Sequence, residues 1–200
     1  KVAPADQFAG LADASLLANN VAALDIADEA VPEMNHLQTL ARDAEAAGTS
    51  QAGITNSNGG DASASHHQLA LVTSHGFSGQ YATSRYSISA SLIAGQGETM
   101  QRDYDYAMVT HLRDLPAAEV IGAAAAERAL AKLNPRKLPS QTSVVYFEPR
   151  VGRSLLSAFA GAISGSAITR GTSFLKDALG TPVFAEHVTV TDDPLRARGL

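Results

Sequence analysis

The chain has 200 residues, 45% of them hydrophobic, a net charge of −5 and no cysteine. That composition allows a sizeable core in one domain or parts of two, and excludes a disulfide framework and thiolate chemistry. Lys and Arg form no basic run, which argues against nucleic acid as the main partner, because phosphate recognition needs clustered cations. No run of about 18 apolar residues marks a membrane span and no signal-peptide pattern opens the chain, so a cytoplasmic protein is expected. The sequence opens on Lys1 and stops at Leu200 after a strand-like stretch, and it reads as a piece of a longer protein.

Residues 1–31 are rich in Ala and Asp, with short helical turns expected at 6–11 and 13–17. Pro32 suits a first helical position, and Met34, Leu37, Leu40, Ala41 and Ala44 follow at helical spacing. A helix is predicted to about Ala47, stopped by Gly48. Asn56-Ser-Asn-Gly-Gly-Asp61 predicts a turn.

From Ala62 to His111 the period becomes two. Tyr86, Ile88, Ala90, Leu92 and Ala94 alternate with Arg85, Ser87, Ser89, Ser91 and Ile93, as in a sheet with one solvated face. His75-Gly-Phe-Ser-Gly79 joins an earlier strand, about 66–74, to this one, and Gly95-Gln-Gly97 turns into a third. There Met100, Arg102, Tyr104, Tyr106 and Met108 share one face, read as core, with Gln101, Asp103 and Asp105 opposite, read as solvated. Three antiparallel strands in a meander result. With 95–99 as the loop, Ile88 should face Tyr106, and Ala90 should face Tyr104.

Asp114-Leu-Pro116 opens a helix with Glu119 in its first turn, where the helix dipole favours an anion. Val120, Ile121, Ala124, Leu130 and Leu133 can face the sheet, and Asn134-Pro135 ends it. The polar stretch from Lys137 to Thr142 sets a boundary between a domain at 1–138 and another starting at 139–200. Val144-Val-Tyr-Phe147 predicts a buried strand. Pro149 then opens a helix whose stripe is Leu155, Leu156, Phe159, Ala160 and Ile163, with Gly165 as its stop. The fold class is α+β: an antiparallel meander covered by helices, followed by the start of a second α/β domain.

Few residues look chemical. His66 and His67 point to opposite faces of a strand, so they cannot share an ion. Adding His75 gives two ligands where zinc wants three or four. Asp103 and Asp105 could act as paired carboxylates, but a solvated face is the simpler reading. Serines near His75 and His111 lack the Gly-x-Ser-x-Gly elbow, and Gly95-x-Gly97 lacks the rest of a nucleotide fingerprint.

Several separate stretches nonetheless carry a resemblance. Gln101-Arg-Asp-Tyr-Asp-Tyr106, Leu133-Asn-Pro-Arg-Lys137, the helix after Pro149, Arg170-Gly-Thr-Ser-Phe-Leu-Lys-Asp-Ala-Leu-Gly180 and Thr191-Asp-Asp-Pro194 come in order. Together they resemble the TldD/PmbA family of metallopeptidases, most closely its PmbA (TldE) branch, over nearly the whole chain. The resemblance implies a two-subunit zinc peptidase whose TldD-like subunit carries His-Glu-x-x-x-His on the helix after Pro149. Here those places hold Ser157, Ala158 and Ala162, so no catalytic, cofactor or metal residue is assigned to this chain. The implied role is a non-catalytic subunit, with zinc in a TldD-like partner and an extended peptide as substrate. Two other readings stay open: an active peptidase with ligands beyond Leu200, and a binding or regulatory protein with no proteolytic partner.

Overall fold

The computed structural model describes residues 10–18, 20 and 22–199. By contact the chain divides into two compact units, Lys1–Arg136 with Asp193–Leu200, and Lys137–Asp192. The first is α+β. Strands β1 (Ile54–Val72), β2 (Ser78–Ala94) and β3 (Gln101–Val109) form one antiparallel sheet in that order. Helices α1 (Met34–Thr49) and α2 (Ala118–Ala131) pack on it and on each other.

The alternation along β2 places Tyr86, Ile88, Ala90, Leu92 and Ala94 under the helices, each no more than 1% exposed. Of these, Ile88, Ala90 and Leu92 form one core cluster with Ala44 of α1 and Ala118, Ile121, Ala125 and Ala126 of α2. The buried stripe of α2 is thus mostly alanine. Of the residues predicted to face the sheet, Ile121 does, Val120 is exposed, and Ala124, Leu130 and Leu133 are half-buried. Around α1 the backbones approach closely: a Cβ on Gly122 of α2 would stand 1.9 Å from the Ala44 carbonyl oxygen, and one on Gly60 of β1 would stand 2.1 Å from that of Ala41. Backbones that near leave space only for small side chains.

Several expectations are corrected. Helix α1 starts at Met34 after the cap residue Glu33, and Gly48 lies buried inside it. The stretch from Asn56 to Asp61 is strand, not turn. Its turn-formers are absorbed by irregularities between Ile54 and Asn56 and between Ser57 and Gly59, where Gly59 takes φ 106°. Helix α2 starts at Ala118, after a 3-10 turn at Leu112–Asp114. A 3-10 turn also occupies Ala14–Leu16, with the Asp13 carboxylate accepting from the Ser15 N–H at 3.1 Å. The turn expected at 6–11 lies mostly outside the described residues.

The meander order stands, but its register is one residue away from the expected one. Ile88 faces Ala107, and Tyr106 faces Ser89. A one-residue slip exchanges the faces. Tyr104, Tyr106 and Met108 are therefore on the exposed face, while Asp103, Asp105 and Ala107 lie on the helix side.

In the second unit, helices α3 (Pro149–Ala162) and α4 (Gly165–Thr169) form, so Gly165 opens a helix instead of closing one. Val144, Val145, Tyr146 and Phe147 are not a buried strand; all are exposed, Tyr146 at 93%. A strand needs a neighbour for its N–H and C=O groups, and the described residues of 137–192 contain no strand. The strand-like stretch before Leu200 is irregular for the same reason. Leu155, Leu156 and Ile163 are half-exposed, and Phe159 is half-buried against Phe184, ring centroids 5.0 Å apart.

Candidate functional site

Helix α3 is where the resemblance places the chemistry. Pro149 occupies its first turn, where a missing N–H costs nothing. The N–H groups of Val151 and Gly152 donate to the Glu148 carbonyl at 2.9 and 2.8 Å. The helix stays α-helical to Ala162, without the widened turn that ligands five residues apart would need. Five steps amount to about 140° around the axis. Accordingly Ser157 and Ala158 are exposed and Ala162 is buried. The Ala162 carbonyl accepts the Ser173 hydroxyl at 2.6 Å, and Ser173 Oγ accepts the Leu175 N–H at 3.0 Å. Ser173 thereby closes the end of the helix. Its signal in the sequence was the Arg170-Gly-Thr-Ser-Phe motif, whose Gly171 takes φ 67°. With a hydroxyl and two methyl groups at 157, 158 and 162, this helix does not fit a zinc ion, and no step through a metal is derived for it.

The carboxylates on β3 serve the fold. Asp103 is buried 2.9 Å from Lys132 Nζ, and Asp105 lies 3.6 Å from Arg128 Nε. Alternate strand residues are about 6.8 Å apart, and residues four apart on a helix about 6 Å. Two acids on β3 therefore line up with two bases at the end of α2. Asp103 Oδ1 also accepts the Tyr104 N–H at 2.8 Å.

The histidines are not gathered together. His66 and His67 face different partners on β1, and His75 lies beyond the strand, its Nδ1 3.0 Å from the Ala12 carbonyl oxygen. His66 Nε2 is 3.0 Å from the Tyr86 hydroxyl. That phenol gives its proton to the Ala30 carbonyl, so His66 is the donor to it. Burial, then the charge of Asp28, pushes the Tyr86 phenol above its ordinary range. Among the described residues no group of three or more His, Asp or Glu could hold a metal ion.

A polar cluster at the end of the sheet went unread, because its members are far apart in sequence. Where β3 ends, the Ile26 carbonyl accepts the Ser84 N–H at 3.0 Å, extending the sheet by one irregular segment. The Ser84 hydroxyl donates to the Thr110 carbonyl at 2.6 Å and accepts the Asp28 N–H at 2.6 Å. Asp28 accepts the N–H groups of Leu112 and Ala30; the Leu112 bond leads in holding its carboxyl below the usual range. Buried His111 places Nε2 3.2 Å from Asp25 and Nδ1 3.1 Å from the Thr110 hydroxyl. Arg198 bridges Asp25 at 2.6 Å and Asp114 at 2.7 Å. The Arg198 hydrogen bond is the main reason the Asp25 carboxyl is lowered, and the Asp25 bond the main reason the guanidinium is raised.

Comparison with known proteins adds the lineage. Residues 22–133 match the PmbA/TldA metallopeptidase central domain, and residues 140–200 match the C-terminal domain of the same family. Metalloprotease PmbA of Escherichia coli O157:H7 is 34% identical over 196 residues, covering 98% of this chain and 44% of that protein. A Metalloprotease PmbA homolog of Haemophilus influenzae is 33% identical, with the same coverage of 98% and 44%. A crystal structure from Bacteroides thetaiotaomicron, described as a candidate modulator of DNA gyrase, superposes with a TM-score of 0.89 at 26% identity, covering 98% of this chain and 46% of that one. The chain thus spans less than half the length of these relatives.

Proposed function

This chain belongs to the PmbA/TldA metallopeptidase family, and we propose that it is part of a non-catalytic, PmbA (TldE)-like subunit of a heteromeric zinc peptidase that processes peptides in the cytoplasm. The observation that carries this reading is the chemistry of α3. Where the resemblance implies His, Glu and His, the helix presents Ser157, Ala158 and Ala162, two exposed and one buried. None of these can bind zinc or activate water.

In this reading zinc sits in a TldD-like partner, and the present chain completes the chamber and helps hold an extended peptide. β1 lies at an edge of the sheet and is 19 residues long, which suits backbone pairing with a peptide without reading its sequence. No described helix is long and apolar enough to cross a membrane.

The test uses the full-length protein, purified alone and co-expressed with a TldD-like subunit. The expected result is no stoichiometric zinc and no cleavage alone, and chelator-sensitive cleavage by the pair. One zinc per chain with cleavage by the protein alone would overturn the reading in favour of an active peptidase. Failure of any His-Glu-x-x-x-His subunit to co-purify from native cells would favour a binding protein without a proteolytic partner.

A further inference from the structure

The chain leaves the first unit after Arg136 and rejoins it at Asp193. The contact that marks the return is Arg198, 173 positions from Asp25 and 84 from Asp114. Its guanidinium forks between those two carboxylates, and its own N–H donates to the Leu24 carbonyl at 2.8 Å. Asp25 and Arg198 both hold left-handed backbone, φ 50° and 56°. Non-glycine residues keep that conformation only where surrounding contacts offset its cost. The backbone would relax once the ionic contacts are lost.

We propose that Arg198 is a releasable clasp. Closed, it ties residues 193–199 to the sheet unit. Open, it releases that segment from Asp25 and Asp114.

The chemistry selects the trigger. Asp25 faces Arg198 and His111, and Asp114 faces Arg198 and, at 3.9 Å, Arg113. Asp28, the remaining carboxylate of the cluster, is held by backbone N–H groups. Because the Asp25 carboxyl is lowered, its charge is complete above the ordinary value of 3.8 and disappears only as pH falls through a still lower one. Mild acid therefore keeps the clasp shut. The exposed carboxylates and half-exposed guanidinium are instead open to competing ions, which screen such pairs. Charge competition, not acidification, is the releasing condition.

Hydrogen exchange on the full-length protein tests this independently of the peptidase reading. In Arg198→Gln, the 193–199 segment should exchange about fivefold faster, within the range of exposed ion pairs and charged hydrogen bonds. Arg198→Lys should recover part of the protection as a single point charge. Wild type in 1 M KCl should approach the Arg198→Gln rate, while pH 5 at low salt should leave protection relative to intrinsic exchange unchanged. Amides at 88–92 in β2 serve as the control. Unchanged exchange at 193–199 in Arg198→Gln, or none of the expected salt response in wild type, would overturn the clasp. Should Arg198→Gln also speed the β2 amides, Asp114→Asn and the salt titration of wild type replace it, and unchanged exchange in both has the same consequence.

Discussion

The two units differ in what becomes of equally apolar stripes. In the sheet unit, Ile88 and Leu92 are fully buried beneath α1 and α2. In the second, Leu155 and Leu156 stand at an equally clear helical period yet are 50% and 51% exposed. A periodic pattern states which face wants burial, but only an opposing element supplies it. The meander brings its cover within the same unit, whereas α3 engages the half-buried Phe159 on Phe184 and the small buried Ala162, and leaves its leucines half-exposed.

The largest test of this contrast is truncation. Leu92→Ala should cost about 2–5 kcal/mol in urea unfolding, whereas Leu155→Ala should change stability by about 0.5 kcal/mol or less. Equal losses would show that α3 is covered after all. The same logic applies to Phe159→Ala. Half-buried, it should cost less than the roughly 3–5 kcal/mol of a fully buried Phe→Ala.

Helical glycines offer a second comparison with opposite signs. Gly122→Ala would drive a methyl to 1.9 Å from the Ala44 carbonyl oxygen and should cost about 1–3 kcal/mol, as overpacking does. Gly161 has nothing within 4 Å of an added Cβ, so Gly161→Ala should stabilise α3 by up to about 1 kcal/mol. Thermal unfolding of both variants decides it, and a stabilising Gly122→Ala would break the account of helix packing.

Titration sharpens the comparison within the sheet unit. The Tyr86 phenol is raised above 10.0 by burial. Its contribution to stability is therefore complete below pH 10 and is lost as pH rises through the folded-state value. Tyr86→Phe should flatten the alkaline limb of a stability–pH curve while leaving its slope at neutral pH unchanged. An alkaline limb identical to wild type would show that another group sets it.

The smallest expected effect is a gain of function on α3. Ser157→His, Ala158→Glu and Ala162→His together should bind zinc weakly and cleave no peptide. Position 162 is buried while 157 and 158 are exposed, and the helix has no widened turn to bring 157 and 162 onto one ion. Zinc titration and a cleavage assay measure it; efficient chelator-sensitive cleavage would show a helix already poised for catalysis.

Local signals were legible wherever a residue's preference and its neighbours' demands agree. The alternation of Tyr86 to Ala94, the order of the meander and Pro149 at the start of α3 all follow from spacing and backbone chemistry. The resemblance to a metallopeptidase family rested on motifs and was legible for the same reason. Registers and faces were not. Whether Ile88 meets Tyr106 or Ala107 depends on how residues 95–100 close, and their 3-10 turn at Gly97–Thr99 sets the odd register. Hydrophobicity alone sends Tyr104 and Tyr106 inward. Tertiary structure reversed that, because the register set by the turn at Gly97–Thr99 puts Asp103, Asp105 and Ala107 on the helix side, where Lys132 and Arg128 satisfy the two carboxylates. The Asp25–Arg198–Asp114 bridge exists only in three dimensions: no local preference ties residues 173 and 84 positions apart, and only the folded chain brings their charges within bonding distance.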